Sequence, residues 1–159
     1  MVGEDLIITA GSVTNDMKVT HKKDDAILGV NDKPVIFDNE KMLMAVKGEI
    51  AHGDDNFGSG VFFVTDRRVA FMGKGSIEGL ISAVSRAAGG GRTFFIFPID
   101  QIAGAEQGGM IIKNCTVLVK TKGFFGGDKI DKYKVVLNSD YKQHLGEVIA
   151  KVNEACKGK

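Results

Sequence analysis

Two kinds of side chain in this sequence could do chemistry on a partner: the imidazoles and the lysines. His21, His52 and His144 are the three histidines. His52 is followed closely by Asp54 and Asp55, so one imidazole and two carboxylates could face a hard or borderline cation. The same residues sit in Gly53-Asp54-Asp55-Asn56, whose composition is that of a turn. Nothing else supplies a convincing second ligand cluster, so the stretch reads as a turn and no metal is expected. No histidine has a nucleophile motif beside it, and no Gly-x-Ser-x-Gly occurs. Cys115 and Cys156 form no Cys-x-x-Cys and are too few for a disulfide framework. The expectation is a protein that is not an enzyme and carries no cofactor.

Anion recognition is the other chemistry on offer. Gly89-Gly90-Gly91-Arg92 offers consecutive backbone amides and a guanidinium, but it follows a helical pattern rather than opening one and reads as a helix exit. Of the Arg67-Arg68 pair, Arg68 reads as internally paired and Arg67 as solvated. Residues 107–137 carry six lysines against Asp128 and Asp131. Among them Lys120, Lys122, Lys132 and Lys134 alternate with apolar residues, and a period of two puts them on one sheet face. That face, together with Lys74, Arg86 and Arg92, is the candidate anion-binding set. Such lysines also serve as the wet side of a sheet. Aromatic stacking partners are sparse among them, so nucleic acid is not expected.

These side chains are positioned by strands and two helical segments. Lys41–His52 reads as a strand. Gly60–Thr65 and Val69–Met72 read as a hairpin turned at Asp66-Arg67-Arg68. Thr93–Phe97 is a strand, Pro98–Ile102 a turn, and Met110–Lys120 and Lys132–Leu137 are strands joined through residues 122–127. A helix over about 141–156 presents Leu145, Val148, Ile149 and Val152 on one face. A second, short amphipathic helix is expected within Gly73–Arg92, where Ile77, Leu80, Ile81 and Val84 form a stripe between glycine hinges. That stripe is the candidate partner-binding surface. Residues 16–29 are expected as a helix capped at Asn15 or Asp16.

The strand Val61-Phe62-Phe63-Val64, the Thr65-Asp66-Arg67-Arg68-Val69 hairpin, the Pro98-Ile99-Asp100-Gln101-Ile102 step and the final helix resemble the bacterial PH-like and GRAM-like domains. Asp38-Asn39-Glu40-Lys41-Met42-Leu43 is similar to the stretch that leads into that family's first strand. The likeness covers about residues 38–156. It implies a mainly β (α+β) fold: a barrel of two nearly orthogonal antiparallel sheets capped by the C-terminal helix, from which the short helical insertion at 73–92 departs. Residues 1–37 are an N-terminal extension outside the pattern, and 38–159 form the domain. Some eukaryotic members bind phosphoinositides; many bacterial members have no known ligand.

Composition sets the outer bounds. The chain has 159 residues, 43% hydrophobic and 26% charged, enough for one domain with its own core. Net charge is +1, but residues 1–66 carry −6 and 67–159 carry +7, a split that fits two complementary halves of one fold. No run of about 18 apolar residues and no signal-like leader occur, so the expectation is a cytoplasmic protein, with contact at the inner face of the membrane as a variant. The function expected is a non-catalytic binding or scaffolding module that engages a protein partner or a second copy of itself in a homo-oligomer. The alternative is a peripheral module for anionic lipid, and behind both a small enzyme built on one of the histidines.

Overall fold

A computed structural model describes residues 2–9, 21–23, 26–29, 33–73 and 93–157. Four short N-terminal strands, β1 (Ile8–Thr9), β2 (His21–Lys23), β3 (Ala26–Leu28) and β4 (Val35–Ile36), precede seven longer ones. These are β5 (Met42–His52), β6 (Asp55–Thr65), β7 (Arg68–Gly73), β8 (Thr93–Pro98), β9 (Ile102–Gly108), β10 (Asn114–Lys122) and β11 (Asp128–Leu137). A helix, α1 (Leu145–Lys157), closes the described chain.

The seven long strands form one antiparallel sheet in the order β8-β7-β6-β5-β11-β10-β9. Two sheets were expected; here β5 pairs with β6 on one side and β11 on the other, which joins a four-strand and a three-strand half continuously. The sheet is open. Its outermost strands, β8 and β9, follow each other in the chain across a 3-10 turn at Ile99–Gln101, yet sit at opposite ends of the strand order.

The main core lies on the face covered by α1. Phe62, Val64, Phe71, Val117, Val119, Val135 and Leu137 meet Val148, Val152 and Ala155 there. Leu145 and Ile149 complete the contact at its rim, so all four residues of the expected helical face pack as the periodicity requires. A void in this core, lined by Ile50, Phe62, Phe71, Phe95, Tyr133 and neighbours, is about 10 Å³, room for one water at most.

A second core lies on the other face of the four-strand half. Leu6, Leu28 and Ile36 of the N-terminal segment cover Met42, Ala45, Phe63, Ala70 and Met72. This corrects the helix expected over 16–29. His21–Lys23 and Ala26–Leu28 instead pair as antiparallel strands, and the rest of that range lies outside the described residues. The sequence there has no helical stripe to bury, and Leu28, buried, reaches the sheet from extended backbone. The Gly73–Arg92 helix also falls outside the described residues, except Gly73, which ends β7.

Candidate docking surface

The hairpin read at Thr65–Val69 is held by side chains that point inward. Thr65 Oγ1 accepts from the Arg67 and Arg68 amides at 3.1 and 3.0 Å and donates to Glu40 Oε2 at 2.9 Å. Arg68 grips Glu40 with both arms, Nε to Oε2 at 3.0 Å and Nη2 to Oε1 at 2.7 Å. The guanidinium lies 4.8 Å from the Phe37 ring centre and 5.2 Å from that of Phe63. Arg68 is therefore internally paired, as expected, and fixes the scaffold instead of facing a ligand. Arg67 is not merely solvated, since its Nε donates to the Asn39 carbonyl.

The basic face forms as the alternation predicts. In the β10–β11 register, Thr116 faces Lys134, Leu118 faces Lys132, Lys120 faces Ile130 and Lys122 faces Asp128. Cross-strand partners share a face, so Lys120, Lys122, Lys132 and Lys134 stand together on the side away from buried Val117, Val119 and Val135. All four are exposed, and Lys122 forms a surface ion pair with Asp128 at 2.9 Å. The structure does not extend this set to Lys74, Arg86 and Arg92, nor describe the stripe Ile77, Leu80, Ile81 and Val84; all seven lie outside the described residues.

The feature the sequence reading passed over is the end of this hairpin. β11 begins at Asp128, but its pairing with β5 begins only at Tyr133. β10 runs to Lys122, but its pairing with β9 ends at Val119. Residues 120–130 thus form a two-stranded arm whose paired part runs beyond the sheet by about 10 Å, at about 3.3 Å per residue, before the turn. Its tip is a closed turn: the Gly126 amide donates to the Gly123 carbonyl at 2.9 Å, and the Gly123 amide to Gly127 at 2.6 Å. Gly126, at φ 82°, takes a left-handed conformation that suits glycine. Between them Phe124 and Phe125 stand 97% and 96% exposed, edge to face with ring centres 5.1 Å apart. Two aromatics inside a glycine-bounded turn, with no alternation to turn them inward, were the available signal.

At the base of the arm, His52 Nε2 meets Asp131 Oδ1 at 2.8 Å, and the imidazole stacks on Tyr133 at 4.3 Å. The hydrogen bond from His52 is the main reason the Asp131 carboxyl is held below its ordinary value. Burial raises the Tyr133 hydroxyl. His144 neighbours Glu147 at 3.4 Å. Asp54 and Asp55 are exposed at the β5–β6 turn, and among the described residues no three His, Cys, Asp or Glu side chains gather as metal ligands. Cys115 is fully buried, which pushes its thiol up to about 12.

A second apolar tip caps the other end of β10. Met110 and Ile111, each 94% exposed, and Ile112 occupy the β9–β10 loop. Nine residues of β10 hold the two tips about 30 Å apart. Among the described residues no helix is long and apolar enough to cross a membrane. Comparison with protein-family models, curated proteins and solved structures finds no match.

Proposed function

We propose that this chain is a non-catalytic docking module of PH-like architecture that attaches to a larger assembly through the β10–β11 arm. The architecture is supported by the strand order, by two antiparallel halves sharing β5, and by a C-terminal helix on the core face. The single observation that carries the docking role is the exposed Phe124–Phe125 tip on a projecting arm, since apolar area of that kind marks an interaction site. His52 already spends its Nε2 on Asp131 and its ring face on Tyr133.

Replacing Phe124 and Phe125 by serine tests this. The intact chain is expected to sediment with membranes or as an oligomer. The variant is expected as a free monomer with an unchanged melting temperature. An intact chain recovered wholly as a free monomer refutes the reading.

The Met110–Ile112 loop favours a second reading, self-association, because three consecutive aliphatic residues are presented to water. Under that reading Ile111→Ser lowers the solution mass and the tip variant does not.

A further inference from the structure

We infer that the occupant of the arm is an anionic lipid bilayer, into which Phe124 and Phe125 insert while the lysine face meets the headgroups. The inference rests on the docking role just proposed and names its partner. Three features of the arm converge on it. The first is shape: the tip is convex and projects past the sheet, so it suits a flat, yielding surface that needs no complementary pocket. Its glycine turn is closed by two backbone hydrogen bonds, so the wedge is formed before contact. The second is chemistry: aromatic rings settle at the boundary between headgroups and acyl chains, a few ångströms deep.

The third is charge. Lys120, Lys122 and Lys132 lie on one face behind the tip, with Lys134 nearer the sheet and Lys129 on the opposite face. The acids nearby are largely engaged or set back. Asp128 pairs with Lys122 and Asp131 with His52, while Asp54 and Asp55 sit on the β5–β6 turn beside the arm's base, behind the tip. Ile130, half exposed between Lys120 and Lys132, extends the apolar surface along the same face.

The sequence supplies a probe for the test, because the chain has no tryptophan. Phe124→Trp therefore gives a single emission signal at the tip. With phosphatidylcholine vesicles containing phosphatidylserine, the full chain is expected to co-sediment and the Trp emission to shift to the blue. With phosphatidylcholine alone both effects should be weak.

Phe124→Ser/Phe125→Ser should weaken partitioning by about a hundredfold, at about tenfold for each buried ring. Lys120→Ala/Lys132→Ala should weaken it by about 25-fold, at about fivefold per lysine, and added salt should erase that difference. Equal binding to both vesicle types overturns the anionic assignment, and bound protein whose Trp emission stays that of water overturns insertion. Solution mass without vesicles separates the two readings. No vesicle binding, but an oligomer that the serine pair dissociates, overturns the bilayer and leaves the docking role standing. Serine variants that change neither mass nor vesicle binding overturn both.

Discussion

Glu40→Gln is the sharpest probe of how the scaffold is held. The side chains of Glu40 and Arg68 are 2% and 8% exposed, so both charges are out of water. Glu40 also accepts from the Phe37 amide at 2.8 Å and from Thr65 Oγ1. The glutamine keeps the shape and removes the charge that Arg68 Nε and Nη2 meet at 3.0 and 2.7 Å. Breaking a buried pair from one side costs about 3–5 kcal/mol, which for a domain of this size lowers the melting temperature by about 6–20 °C. Thermal melting followed by circular dichroism reads this directly, and moderate salt should change it little because the pair is shielded. Adding Arg68→Met to Glu40→Gln should recover much of the loss, since the double variant removes both charges of this pair. A Glu40→Gln shift below about 2 °C, or a double variant worse than the sum of its parts, refutes the account.

Other expectations follow from single contacts. Asn153→Ala leaves the Ala105 amide and carbonyl without the partners they hold at 2.9 and 3.0 Å, and should cost about 1–3 kcal/mol in a urea titration. Val148→Asp puts a charge into a fully buried site under α1 and should abolish cooperative melting. Asp131 has a lowered folded value, so its contribution is present above the unfolded carboxylate value of about 3.9 and lost as pH falls through the folded one. The melting difference between the protein and Asp131→Asn should thus shrink as the pH falls below about 4. Cys115, buried and with its thiol raised, should resist thiol reagents in the native state at pH 8, whereas denaturation exposes it.

The legible parts of this fold were those whose own residues report their environment. β6 and β8 are rich in β-branched and aromatic residues, β5 and β7 carry apolar runs, and α1 shows its apolar stripe directly. β9 was not legible. Ile102-Ala103-Gly104-Ala105-Glu106-Gln107-Gly108 has little strand character and is held by β10 and Asn153, contacts far away in sequence. β10 starts at Asn114, later than the apolar run from Met110 suggested, because Met110–Ile112 point into water. The lysine face was legible because alternation fixes sidedness. The Phe124–Phe125 tip was not, because hydrophobicity gives no direction until pairing shows where β9 and β5 stop.

Asn153 also bears on how the chain avoids its neighbours while folding. β9 is an outer strand, and a bare outer strand is a template for any other extended chain. The Asn153 amide, supplying one donor and one acceptor, imitates a neighbouring strand at Ala105, and Cys156 Sγ lies 3.6 Å from the Ile102 carbonyl nearby. A side chain at Gly104 would press against that amide at 2.9 Å, so the helix can seat only where the strand stays bare. Both guards come from α1, some fifty residues after the strand they protect. Wherever the sheet pairs before α1 docks, β9 stands without either guard. The yield of soluble protein should then depend on how quickly α1 arrives rather than on the stability of the finished fold.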